Sequence, residues 1–148
     1  MIYYLGLGSN IGDLEQNLYL AHDEISQFSN IVKVSKFYES EPWGYKAQPS
    51  FLNAVIIVKS DIQPQNFLLK LQEIEKRLGK MVNVRWGPRI IDIDILFCDD
   101  LIINSDDLII PHPHAHERDF VLKPMCEIAP DFIHPSLNKS MIELNTEN

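Results

Sequence analysis

Cysteine is nearly absent. Only Cys98 and Cys126 occur in 148 residues, and they form neither a Cys-x-x-Cys pair nor a metal-ligand spacing. A disulfide scaffold is excluded as the organising principle, and a reducing compartment is expected. No charged-then-apolar leader opens the chain, and the longest apolar runs, such as Ala54 to Val58, fall far short of the ~20 residues a membrane span requires. The expectation is a soluble, cytoplasmic protein with no membrane partner. Positive charge is also scarce: 13 lysines and arginines face 21 acidic residues, for a formal net charge of -8. A binder of phosphate backbones usually shows a basic domain or face, so nucleic acid is not an expected partner. There is no Gly-rich Walker loop, no kinase-type Gly-rich loop, no internal repeat and no low-complexity tract. Any nucleotide must then be gripped mainly by side chains.

What remains suffices for one domain. With 45% apolar residues, a single unit over residues 1–148 can bury roughly 70% of the surface its unfolded form exposes. The few arginines are unevenly spread: all lie between positions 77 and 118, and Arg77, Arg85 and Arg89 fall close together. An acidic protein with one local basic cluster can focus a small anion there.

Hydrophobic spacing gives the order of elements. Ile2 to Leu7 reads as a strand ending in the turn-rich Gly6-Leu7-Gly8-Ser9-Asn10. Asp13 with Gln16 resembles a capping box for a helix whose Leu14, Leu18, Ala21, Ile25 and Phe28 recur at helical spacing. Ile31 to Tyr38 and Phe51 to Val58 read as strands around a proline-bounded loop, Glu41 to Pro49, of the length that tends to carry function. Pro64, Phe67, Leu71, Ile74 and Leu78 mark a second helix, with Gly79 just past its end. Lys80 to Pro88 has no usable period. Ile90 to Phe97 alternates strictly, placing Ile91, Ile93, Ile95 and Phe97 on one face and Asp92, Asp94 and Leu96 on the other. Short strand-like pieces at Leu101 to Ile103 and Leu108 to Ile110, a histidine- and proline-rich segment, a short helix from about Glu117 and a polar tail complete the chain. The order predicts an α+β fold, a ferredoxin-like sandwich with both helices on one face of an antiparallel sheet. A doubly wound parallel sheet fits less well, because no helix separates the second and third strands.

Asp92 and Asp94 sit about 6.6 Å apart along a strand and project from one face. Two such carboxylates repel, and a hard divalent cation with phosphate ligands is their usual partner, magnesium rather than zinc. A solvated surface strand would explain the pair taken alone. Immediately upstream, however, Arg85-Trp86-Gly87-Pro88-Arg89 supplies two guanidinium groups that match phosphate oxygens bidentately. Trp86 shields those phosphates or packs the turn; both readings stand. Asn53, inside the apolar run Leu52 to Val58, is expected to be buried, where an amide requires partners; Phe51 or Phe120 alone reads equally well as a core residue, but with Asn53 they suit a planar heterocycle with a peptide-like edge.

The string Arg85-Trp86-Gly87-Pro88-Arg89-Ile90-Ile91-Asp92-Ile93-Asp94-Ile95-Leu96 resembles the signature of the 6-hydroxymethyl-7,8-dihydropterin pyrophosphokinase family. Gly8-Ser9-Asn10, Gln48-Pro49-x-Phe51-Leu52-Asn53, Pro111-His112-Pro113 and His116-Glu117-Arg118-x-Phe120-Val121-Leu122 extend the resemblance over nearly the whole chain. It implies transfer of pyrophosphate from ATP to the hydroxymethyl group of 6-hydroxymethyl-7,8-dihydropterin, with AMP leaving, in folate biosynthesis. On the same resemblance Asp92 and Asp94 hold two magnesium ions. Arg85, Arg89, His112 and Arg118 meet the triphosphate, and Gln72 and Glu75 lie near the nucleotide. Asn53 reads the pterin edge between Phe51 and Phe120, with Ser40 to Gly44 and Trp86 completing the pocket. A monomer is expected.

The family's common Arg-x-Arg after the glycine is here Lys80-Met81-Val82, and His114 stands where an arginine is frequent. Lys80 is expected to contact phosphate as its segment, 80 to 88, closes over bound triphosphate. Two rival readings differ in class. His112, His114 and His116 could form a zinc site, or the chain could be a pterin- or nucleotide-binding module without catalysis.

Overall fold

The computed structural model describes residues 1–41, 49–79 and 90–148. The chain runs β1 (Ile2–Ser9), α1 (Leu14–Ile25), β2 (Asn30–Val34), β3 (Tyr38–Ser40), β4 (Phe51–Lys59), α2 (Pro64–Gly79), β5 (Asp92–Cys98), β6 (Ile103–Asn104), β7 (Ile109–Ile110), a 3-10 turn (Ala115–Glu117), α3 (Asp119–Ile128) and α4 (Met141–Glu147). The main sheet has the order β2-β4-β1-β5, with β3 also on β4, and its pairs are antiparallel. This is the ferredoxin-like arrangement that the element order predicts, with the second strand broken into β2 and β3. The small β6-β7 hairpin stands apart from it.

The start of α1 follows the capping prediction. Gly12 takes a φ of +83°, which an L side chain resists, and Asp13 then accepts a hydrogen bond from the Gln16 amide. Leu18, Ala21 and Ile25 of α1 and Phe67, Leu71 and Ile74 of α2 pack on Tyr3, Leu5 and Leu7 of β1 and on Ile93 and Ile95 of β5. The Tyr3 and Phe67 rings stack there, 4.0 Å apart and nearly parallel. Gly79 is the last residue of α2 rather than the one beyond it.

The other face of the sheet is covered too. Val55, Ile57, Leu96 and Phe97 meet Val121, Leu122, Met125 and Ile128 of α3 and Met141 and Leu144 of α4. Phe97 therefore lies opposite to the face that strict alternation assigns it. The register explains why: Tyr4 pairs with Phe97 and Leu5 with Ile95, so Leu96 is an extra residue in a bulge, and Leu96 and Phe97 both enter the α3 layer. The polar tail is also a helix. Ser140 and Glu143 form a reciprocal capping box, after which Met141 and Leu144 turn inward. Among the described residues no helix is long and apolar enough to cross a membrane.

This second layer contributes to stability as well as shape. Met141 is fully buried and Ile142 is 49% exposed. Met141→Ala is expected to cost about 2 to 5 kcal/mol, and Ile142→Ala to stay within about 0.5 kcal/mol, by urea denaturation. Equal small losses for both would show that α4 is not part of the core.

Candidate active site

The α3 layer stops short of one end of the sheet, and the predicted site residues gather there. Gly8 of β1 pairs with Asn53 on β4 and with Asp92 on β5, while Gly6 pairs with Val55 and Asp94. Directly opposed residues point to the same face, so Asn53 and Asp92 flank Gly8 in one row, with Asp94 in the next. Phe51, two residues from Asn53 on β4, shares that face. Asn10 donates to the Pro49 carbonyl, and Asn17 donates to the Ser9 hydroxyl, so the Gly8-Ser9-Asn10 segment ties the entry of β4 to the end of β1.

Asn53 is 5% exposed, and its amide is held in one orientation. Its Nδ2 donates to the Tyr38 carbonyl at 3.0 Å and to the Ser40 hydroxyl at 2.8 Å. Both amide hydrogens are thereby engaged, which leaves Oδ1 directed toward the glycine row. Ser40 thus reaches the site through Asn53. β3 is braced from behind, since Glu127 of α3 accepts hydrogen bonds from the Tyr38 hydroxyl at 2.7 Å and the Lys36 amide at 3.0 Å. Nothing in the sequence pattern singled out Tyr38 or Glu127, because their contribution is made across 89 residues of chain.

Around Asp92 and Asp94 the balance of charge is unfavourable. Glu75 reaches from α2 to accept the Ile93 amide at 2.8 Å, between the two aspartates. Burial pushes Glu75 up to about 8, helped by the charges of Asp92 and Asp94 and opposed by the Ile93 hydrogen bond. Burial likewise pushes Asp94 up to about 7, with Asp92 adding to the rise and Arg118 opposing it. Glu75 therefore braces β5 from below, a placement that its position on the helix did not reveal. Gln72, one turn earlier on α2, is exposed.

His112 faces the same carboxylates. Its amide donates to the Leu96 carbonyl, and its Nε2 lies 3.9 Å from Asp94 Oδ2. Burial, then Arg118 and His114, lower it to about 4, so the ring is neutral near pH 7. The His114 amide donates to Nδ1, which places the ring proton on Nε2. Arg118 stands at the start of α3, its guanidinium 5.4 Å from the centre of the Phe120 ring. A cavity of about 250 Å³ adjoins Asp94 and His112, lined also by Leu68, Ile95 and Leu108. Another, of about 560 Å³, lies beside Ser40 and Phe120.

The histidines of the zinc reading are neighbours, with the His112 and His114 rings 6.0 Å apart and His116 Nε2 3.5 Å from Glu117, but they do not converge on one point. His114 pairs with Glu117 at 3.0 Å, and the His116 ring meets that of His134 edge-on at 5.9 Å. Among the described residues no group of three or more potential ligands is arranged to hold a metal. Gly44, Lys80, Arg85, Trp86 and Arg89, with the expected closing segment, lie outside the described residues.

A family profile described as 7,8-dihydro-6-hydroxymethylpterin-pyrophosphokinase (HPPK) matches residues 4–130. A protein of Aquifex aeolicus named 2-amino-4-hydroxy-6-hydroxymethyldihydropteridine pyrophosphokinase is 43% identical, over 98% of this chain and 91% of its own length. The folic acid synthesis protein FOL1 of Dictyostelium discoideum is 44% identical over 99% of this chain, which spans only 23% of that longer protein. Among solved structures, Plasmodium falciparum HPPK-DHPS with pteroate superposes with a TM-score of 0.79 at 17% identity, over 99% of this chain and 42% of that one. At that identity the likeness shows the fold alone.

The shifted carboxyls give a signed pH dependence. In the metal-free protein Asp94 and Glu75 keep protons that the unfolded chain has released, from their ordinary values of 3.8 and 4.5 up through about 7 and 8. The folded state then binds more protons, so stability falls as pH rises through that window. His112, lowered from 6.5 to about 4, works in the opposite direction between those values. Above pH 6.5 the carboxyls act without that opposition. In EDTA, the thermal midpoint is expected to fall between about pH 6.5 and 8, and Asp94→Asn to flatten the fall. Calorimetric scans of both proteins check this, and a rising midpoint in the parent would contradict it.

Proposed function

The chain belongs to the 7,8-dihydro-6-hydroxymethylpterin-pyrophosphokinase family, and from that premise we propose how its own residues carry out the family's reaction. The reaction is pyrophosphoryl transfer to hydroxymethyldihydropterin in folate biosynthesis. The observation that carries the assignment of roles is the row across three strands: Asn53, bare Gly8 and Asp92 share one face, with Asp94 beside them. A reader of a heterocycle edge and an acidic pair thus stand about two strand spacings apart, roughly 10 Å. That is a span suited to a bicyclic ring with a reactive arm.

Asn53 Oδ1 accepts from an N–H on the pterin edge, and Phe51 and Phe120 flank the ring. Arg118 and the neutral Nε2–H of His112 meet the triphosphate oxygens, one as a charge and one as a hydrogen-bond donor. The apolar wall of Leu68, Ile95 and Leu108 suits the flat base of ATP. Arg85, Arg89 and Lys80 are assigned to the phosphates, Gln72 to the nucleotide, and Gly44 and Trp86 to the pterin side, on sequence resemblance.

Magnesium fits the donor set. Asp92 and Asp94 offer hard oxygen ligands, and this ion keeps several waters and takes phosphate oxygens, so two protein carboxylates are enough. The raised pKa of Asp94 supports the fit, because protons occupy a place that a cation would fill. We assign two ions to this pair: Asp92 and Asp94 would hold them, and they would supply charge neutralisation for the triphosphate and Lewis acidity toward the substrate hydroxyl. Glu75 keeps the backbone between the two aspartates in place. The protein is proposed to act as a monomeric, cytoplasmic, single-domain enzyme.

Incubation with ATP, magnesium and 6-hydroxymethyl-7,8-dihydropterin is expected to release AMP and the pterin diphosphate. ADP as the product would overturn the assignment. Asp94→Ala is expected to slow AMP release by about 100-fold or more with the fold retained; near-normal turnover would remove the metal role. Asn53→Leu is expected to weaken pterin binding by about 5- to 150-fold, equivalent to about 1 to 3 kcal/mol. ATP affinity should hardly change. Calorimetric titration of each ligand separates that outcome from a general loss of structure.

A further inference from the structure

Gly8 lies in the interior of β1, paired on both sides, where glycine weakens a strand and where backbone geometry does not call for it. Among the described glycines only Gly12 has a positive φ. What a side chain at position 8 would meet is more telling. A Cβ there would lie 3.2 Å from Asn53 Oδ1 and 3.4 Å from Phe51 Cδ1. The Phe51 ring can rotate. Asn53 cannot withdraw without losing its hydrogen bonds to the Tyr38 carbonyl and the Ser40 hydroxyl. Gly6, on the same face of the same strand, differs: the atoms nearest its Cβ would be those of the Leu96 side chain, at 3.5 to 3.6 Å, an ordinary contact.

We infer that Gly8 is a specificity-determining position, whose missing side chain is the floor on which the substrate lies between Asn53 and Asp92. The inference rests on the reading of Asn53 and Asp92 given above. A methyl group at this position does two things at once. It displaces the carboxamide that reads the ring edge, and it lifts the ring away from the sheet, turning the hydroxymethyl arm off its line toward the aspartates. The residues assigned to ATP belong to β5, α2 and the 80–89 and 111–118 segments of the sequence and none to β1 or β4, so nucleotide binding is expected to be untouched.

The test compares Gly8→Ala with Gly6→Ala, which carries the same change in strand propensity without the clash. Gly8→Ala is expected to raise the Kd and KM for hydroxymethyl dihydropterin by roughly 10- to 100-fold, with the Kd for ATP unchanged. Gly6→Ala is expected to match the parent in both. Equal pterin affinity in the two variants would overturn the inference, as would equal losses for both ligands in Gly8→Ala. A measurement on the parent enzyme needs no variant: with glycine labelled in 13C, the α-protons of Gly8 should show NOEs to the hydroxymethylene protons of bound pterin, and those of Gly6 should not. Absence of the Gly8 signal would also overturn it. If the parent neither binds pterin nor releases AMP, the functional reading itself falls, which is a separate outcome.

Discussion

The register of β1 against its two neighbours is the constraint on which the site depends. Gly6 to Gly8 are paired on both edges, and that double pairing brings Asn53 from one side and Asp92 from the other to the same row. None of these residues touches the others through a long flexible side chain. A slip of one residue on either edge would send one partner into the α1/α2 core and leave the other behind. The apolar partners specify against such a slip, since Leu5 and Leu7 of β1 must stay with Ile56 and Ile95 in the closed layer beneath. Hydrophobic burial on one face thus sets polar placement on the other.

Placement by a rigid sheet comes with an electrostatic cost. Three carboxylates, Glu75, Asp92 and Asp94, converge here, with Arg118 beside the two aspartates among the described residues, and burial with mutual repulsion keeps Glu75 and Asp94 protonated well above the usual carboxylate range. A protein selected for stability alone would put an apolar pair at these positions. The cluster is coherent with the proposal that this site receives cations together with a polyphosphate. In that proposal His112 complements the cluster by staying uncharged, able to donate a hydrogen bond without adding a charge.

Much of the fold was legible in the sequence, because periods of two and of about four residues report which face is buried. The β-α-β-β-α-β order, the Asp13 cap and the paired aspartates could all be read that way. Phe97 could not: a bulge is set by pairing with β1, and no local pattern in Ile90 to Phe97 announces it. The last helix was missed although Ser140-x-x-Glu143 and Met141 with Leu144 at helical spacing were there to be read; its polarity on the outer face hid them. At the site, residue types pointed to Asn53, Asp92 and Asp94. The parts played by Ser40 and Glu75 depend on contacts with distant strands. So do those of Tyr38 and Glu127, which spacing along the chain cannot express.

The bulge at Leu96 changes what kind of strand β5 is. On its N-terminal side even-numbered residues face the α3 side, and on its C-terminal side odd-numbered ones do, so the strand carries a phase reversal in mid-course. Removing Leu96 would make the strand regular and would leave the two aspartates, Phe97 and Cys98 in their present layers, because Ile95 and Phe97 already pair with the adjacent residues Leu5 and Tyr4. The half that carries the aspartates and the half that carries Phe97 and Cys98 both keep their faces, and the inserted Leu96 adds a second apolar side chain to the α3 layer.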